Sequence, residues 1–194
     1  MKTGLIALLG VVGFFVIIGL WFVSAGNKLV GLDEGVNASW SQVENVYQRR
    51  ADLIPNLVAT VKGYATHEAD VLEAVTQARA SVGQIKVNSP DDLKKFDAAQ
   101  GQLSNALSRL MVVSEKYPDL KANQNFLELQ SQLEGTENRI TVERQRFNET
   151  AQNYNTQIRQ FPTSFVAGMK GMKERAYFAA QTGSDKAPVV NFGK

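Results

Sequence analysis

The chain has 194 residues, with 21 Lys and Arg against 19 Asp and Glu, a formal net charge of +2 and no cysteine. A balance this close to neutral offers no general basic surface for nucleic acid or anionic lipid. The lack of thiols excludes disulfides, thiolate metal sites and cysteine nucleophiles.

Residues Gly4 to Ala25 carry no charge at all. Within them, Leu5 to Val23 is about as long as a hydrocarbon core is thick at a helical rise of 1.5 Å per residue. Trp21 and Phe22 stand at its C-terminal edge, where an amphipathic ring suits the headgroup boundary. Residues 1–25 are therefore predicted to be a transmembrane anchor that contacts the lipid bilayer through residues 4–25. The rival reading is a signal peptide cut after Ala25. Lys2 at one end and Lys28 at the other nearly balance, so the flanking charges do not set an orientation.

Beyond the anchor the pattern is helical throughout. Val36, Trp40, Val43, Tyr47, Ile54, Leu57, Val61, Tyr64, Val71 and Val75 recur at steps of three and four or their sums, which predicts a helix from about Asp33 to Val82. Pro55 interrupts this stripe, so a kink or break is expected there. A turn over Gly83 to Ser89 follows. Ser89-Pro90-Asp91-Asp92 then reads as a helix start: a capping hydroxyl, a proline in the first turn and acids facing the positive end of the helix dipole. That helix is expected to run to about Lys116 and to end at Tyr117-Pro118.

A third helix is predicted from about Leu120 to Gln160. Phe126, Leu133, Ile140, Phe147, Tyr154 and Phe161 fall at strict seven-residue intervals, which implies coiled-coil-like packing. The companion positions Leu129, Thr136, Glu143, Thr150 and Gln157 are mostly polar, so an antiparallel bundle fits better than a two-stranded coiled coil. Phe165, Val166, Met169 and Met172 begin the tail as an apolar piece expected to pack on the bundle. Residues 179–194 read as a flexible C-terminal tail. The expected class is all-α: an N-terminal transmembrane helix, an elongated antiparallel helical bundle over residues 26–178, and the tail.

Signals for chemistry are few. His67 is the single histidine, and Val71 stands where a zincin's second histidine would be, so no metal site is predicted. No Gly-x-Ser-x-Gly elbow, Walker loop or Gly-x-Gly-x-x-Gly is present. No catalytic residue and no cofactor are predicted. Arg49-Arg50-x-Asp52 beside Pro55 reads either as an Arg–Asp pair bracing the helix or as a contact surface. Glu137, Asn138, Arg139, Glu143, Arg144 and Arg146 read either as intrahelical pairs or as a buried network.

Longer runs match something specific. Arg49-Arg50-Ala51-Asp52-Leu53-Ile54-Pro55-Asn56-Leu57-Val58, Val61-Lys62-Gly63-Tyr64-Ala65 and His67-Glu68 resemble the signature of the LemA family. So do Tyr117-Pro118-Asp119-Leu120-Lys121-Ala122, Leu133 to Ile140, Arg144-Gln145-Arg146-Phe147-Asn148, Tyr154-Asn155, Phe161-Pro162 and Tyr177-Phe178. The resemblance covers Asn37 to Phe178 in order. It implies a single-pass bacterial membrane protein with an elongated helical bundle on the cytoplasmic side of the inner membrane. It implies no enzymatic activity.

The expected function is a non-enzymatic scaffold or adaptor that contacts a membrane or envelope protein, with Arg49, Arg50, Asp52, Pro55, Asn56, His67 and Glu68 as the contact surface. The alternative is a self-assembling protein that organises or shapes the membrane as a homo-oligomer, suggested by the polar seam of the third helix. No nucleic-acid partner is expected.

Overall fold

The structure is a computed structural model that describes residues 2–87 and 89–179. Its dominant element is α1 (Lys2–Lys62), a single helix of 61 residues and so about 90 Å long. It contains both the apolar span and the first pillar of the bundle. The helix passes through Pro55 without a break, because Ile54, Leu57 and Val61 on either side are fully packed inside and tertiary packing overrides the lost hydrogen bond.

The expected helix to Val82 instead divides in two. After α1 comes a turn at Gly63–Glu68, and then α2 (Ala69–Gly83). The turn is closed by Tyr64 and Ala65 N–H donating to the Val61 carbonyl at 3.0 and 2.8 Å. The apolar stripe continued across it because α2 buries the same kind of face, Leu72 and Val75, on its return along α1.

α3 (Pro90–Ser114) starts where the sequence signals it. The Ser89 hydroxyl accepts from Asp92 N–H at 3.2 Å and donates to the Asp92 carboxylate at 2.7 Å. A one-turn α4 (Pro118–Lys121) leads into α5 (Gln124–Arg159), capped by Asn123, whose side chain accepts from Phe126 N–H at 3.0 Å. The expected third helix thus begins four residues late, with Asn123 as its boundary. α1, α2, α3 and α5 run up, down, up and down relative to the membrane end, and α5 lies antiparallel along α1 as its longest partner. No strand occurs among the described residues.

The heptad of α5 fills the interior. Phe126, Leu133, Ile140, Phe147 and Tyr154 are all buried, whereas Phe161 is 89% exposed. It falls out of the repeat because α5 has ended at Arg159 and the chain turns at a cis Phe161–Pro162 peptide. Trp40 gathers Phe96, Phe147 and Phe178 at ring separations of 5.8, 5.6 and 6.0 Å, and Tyr47 meets Phe96 edge-on at 5.0 Å.

A short α6 (Thr163–Met169) packs back on α1. It ends in a Schellman motif: Met172 N–H reaches Ala167 carbonyl at 3.0 Å and Gly171 N–H reaches Gly168 carbonyl at 3.1 Å. Gly171 has φ of +65°, the left-handed conformation this cap requires and an L side chain resists.

From Met172 to Ala179 the chain is an extended strap along α5. Two side-chain amides hold it as a neighbouring strand would. Asn155 accepts from Arg175 N–H and donates to Arg175 carbonyl, both at 2.8 Å; Asn148 does the same for Phe178 at 2.9 and 3.0 Å. Seven helical residues advance about 10.5 Å and three extended residues about 10 Å, so the two spacings match. Of the tail residues expected to pack on the bundle, Val166 is buried and Met172 partly buried, whereas Phe165 and Met169 are exposed because they lie on the side of α6 turned away from α1. The flexible tail predicted for residues 179–194 lies, apart from Ala179, outside the described residues.

Asn155 is completely buried. Asn155→Leu should therefore release the strap, because it removes both backbone pairings of Arg175 and the 2.8 Å bond to the Tyr177 hydroxyl. The expected result is fast amide hydrogen exchange over residues 172–179 with the helices still protected. Uniform loss of protection across all helices would show instead that the strap and bundle form one cooperative unit.

Candidate contact site

The segment Arg49–Glu68 divides into an outer face and the parts that brace it. Arg49, Asp52, Pro55 and Asn56 lie exposed on α1, and His67 is exposed in the following turn. Asp52 accepts from Gln48 Nε2 at 2.7 Å, so its partner lies one turn back along the same helix. Glu68 is half-buried and accepts from the Tyr117 hydroxyl at 3.2 Å, tying the turn to the end of α3. Nearby, Asn123 donates to the Tyr64 hydroxyl at 2.9 Å.

Arg50 points the other way. It is 2% exposed and links three helices. Nη1 meets the Glu137 carboxylate of α5 at 2.5 Å, and Nη2 donates to Ser104 Oγ at 3.0 Å and Gln100 carbonyl at 3.3 Å on α3. Its Nε and the Gln100 Oε1 are buried without a partner among the described residues. Taking that guanidinium out of water is costly unless the pair and its hydrogen bonds stay intact. Arg50 thus braces α1 against α3 and α5 and, being buried, is not part of the expected contact surface; the Arg–Asp pair expected around Pro55 does not form, since Arg50 meets Glu137 and Asp52 meets Gln48.

Arg144 repeats the device toward the membrane end. It pairs with Asp97 of α3 at 2.9 Å, lies 4.4 Å from the Phe178 ring centroid and donates to the Ala179 carbonyl at 3.1 Å. Of the charged cluster in α5, Glu137 and Arg144 reach other helices, while Arg146 and Glu143 make the intrahelical pair at 3.9 Å. Burial pushes the Tyr47 hydroxyl above its ordinary value near 10.0, partly opposed by Arg144.

A cleft of about 770 Å³ opens at the membrane end between α1, the start of α3 and the strap. Trp40, Leu93 and Phe147 give it an apolar wall. Of its three cations, Lys170, Lys173 and Arg175, the arginine is engaged by Asp33 at 2.7 and 3.2 Å and by Asn37 at 3.1 Å. Among the described residues no three His, Asp or Glu side chains converge as a metal site.

The family model described as LemA family matches residues 39–192. The chain belongs to the LemA family. Similar proteins include Magnetosome protein MamQ 2 of Paramagnetospirillum magneticum, 26% identical over 84% of this chain and 68% of its own length. Magnetosome protein MamQ of Magnetospirillum gryphiswaldense shares the same identity and coverage. Protein LemA of Metamycoplasma hominis is 27% identical over 92% of this chain and 81% of its own. The family motifs divide by role in this member. Arg50 and Asn155 are internal fasteners, whereas Arg49, Pro55, Asn56 and His67 remain on the surface.

Sequence reasoning missed the two asparagine clamps. Their signal was present as an aromatic–Asn pair repeated at seven residues, Phe147-Asn148 and Tyr154-Asn155.

Opposite results are expected from the two neighbouring arginines. Glu137→Ala, which strands the Arg50 guanidinium, should lower unfolding stability by about 2 kcal/mol. Arg49→Ala should change it by no more than about 0.5 kcal/mol. Denaturant unfolding of the detergent-solubilised protein measures both, and equal effects would contradict this division.

Proposed function

We propose that this LemA-family membrane protein is a non-enzymatic, single-pass scaffold or adaptor of the bacterial inner membrane. It presents Arg49, Asp52, Pro55, Asn56 and His67 to a membrane or envelope protein. The observation behind this reading is the continuity of α1. From Val23 to Arg49 and Asn56 the helix rises about 40 to 50 Å, so the face stands at a fixed height above the bilayer. Fastening by Arg50 and Glu68 from behind keeps that face in one shape, which favours recognition by lowering the ordering cost of binding. On the family resemblance, the bundle faces the cytoplasm.

The rival reading, self-assembly, drew on the polar seam of α5. That seam is satisfied within the chain at several positions, while Glu143 keeps one carboxylate oxygen buried without a hydrogen-bond partner among the described residues. Thr136 is buried and bonds its own helix, Thr150 packs toward Gly35 of α1, and the adjoining Glu137 and Arg144 pair with α1 and α3. The adaptor reading therefore comes first.

A photoreactive amino acid at Asn56 of the full-length protein, activated in intact cells, should give one discrete heterologous adduct. Arg49→Glu should weaken it several-fold without changing the melting temperature. Adducts no stronger than those from Val112, an exposed position on α3, would contradict the proposal. Adducts with a second copy alone would favour self-assembly.

A further inference from the structure

The outer face of α6 is apolar and has no cover among the described residues. Phe165 and Met169 lie one turn apart on α6 and are each 66% exposed, and Phe161, in the turn just before the helix, is 89% exposed. The inner face, Val166 and Ala167, is buried. It packs at the level of Ala25, Gly26 and Leu29 of α1, which are buried there too. Gly26 permits a close approach: a Cβ added there would lie 3.0 Å from Lys170 Cε and 3.9 Å from Val166.

The height of this contact is the telling quantity. Ala25 to Leu29 lie two to six residues past Val23, or about 3 to 9 Å along the helix axis. The headgroup layer on each side of the hydrocarbon core is about 5 to 7 Å thick. α6 therefore sits at the depth where aromatic and apolar side chains are at home in a bilayer. The charges agree with that placement. Lys28 on α1 and Lys170 and Lys173 just after α6 are exposed and form no ion pair among the described residues, while Glu174 faces Arg159 at 3.9 Å and Asp33 holds Arg175.

We propose that α6 is a second membrane contact: an interfacial foot that inserts Phe161, Phe165 and Met169 among the lipid headgroups beside the span, with the three lysines against phosphate. The bilayer is its occupant because α6 packs on α1 at Gly26, three residues past Val23 at the end of the apolar span. Two attachments, a spanning helix and a foot packed on it, restrict the tilt of the bundle more than a span alone. The proposal rests on reading α1 as membrane-spanning, so its test must separate the two.

Single cysteines are simple to place in a chain that has none. Gly168→Cys lies on α6 where an added Cβ meets nothing within 4 Å, and it leaves Phe161, Phe165 and Met169 in place. Gly19→Cys reports on the span and Val112→Cys on the far surface of α3. Each full-length variant is labelled with bimane and reconstituted in phosphatidylcholine–phosphatidylglycerol vesicles containing lipid with a nitroxide high on the acyl chain. Quenching at 168 is expected to be several-fold above that at 112, and to fall to the level of 112 when Phe165→Asp and Met169→Asp are added.

Quenching at 19 but not at 168 would overturn the foot and leave the span intact. Quenching at neither would overturn both. Protection of 168 from lipid and aqueous quenchers alike would overturn the foot in favour of a protein neighbour. Quenching at 168 that survives the two aspartates would overturn the role given to these side chains.

Discussion

Everything in this molecule hangs on the continuity of α1. The same 61 residues form the apolar segment, the length over which α5 packs, and the face that carries the family's Arg49–Val58 signature. A chain with a loop between anchor and bundle would behave as a tethered ball. Here Ala25, Leu29, Val36 and Val43 carry the buried stripe down to the end of the span, and each turn that is packed keeps the next one helical. Pro55 tests the principle: the local cost of a mid-helix proline is a few kcal/mol, and the flanking apolar burial at Ile54 and Leu57 outweighs it.

Polar fasteners then set the register between the pillars. Apolar seams alone tolerate sliding by a heptad, whereas a buried guanidinium or amide fits in one register only. Arg50 joins α1 to α3 and α5, Arg144 joins α5 to α3, and Arg175 joins the strap to α1. The asparagine clamps add a fourth element to this system by giving an extended segment the backbone partners it would otherwise find in a sheet. Burial at Asn155 is affordable because both ends of its amide are satisfied.

Much of the fold was legible in the sequence. Charge-free residues marked the span, Ser89-Pro90 marked the start of α3, and the heptad from Phe126 to Tyr154 marked the buried edge of α5. Three features were not. The turn at Gly63–Glu68 was hidden because the apolar stripe keeps its period across it and only the hydrogen-bond closure at Val61 distinguishes loop from helix. Phe161 continued the heptad by spacing after the helix carrying it had ended. The inward turn of Arg50 and the outward one of Arg49 could not be separated by composition, since adjacent helical positions differ by about 100° of azimuth and a long-range partner, Glu137, decides which one is buried. The candidate contact face was therefore visible as a segment, while its division into outer and bracing residues needed the tertiary structure.

The central claim is that span and bundle form one stiff unit. It is tested most directly by the distance between nitroxide labels at Gly19→Cys in the span and Asn45→Cys in the bundle, measured by pulsed electron spin resonance on the full-length protein in lipid nanodiscs. Both positions are exposed on α1, and a helix unbroken over the 26 intervening steps places them about 39 Å apart along its axis. A single narrow distribution near that value is the predicted result. A broad distribution, or one with a shorter mean, would reveal a hinge near Ala25 and contradict the account.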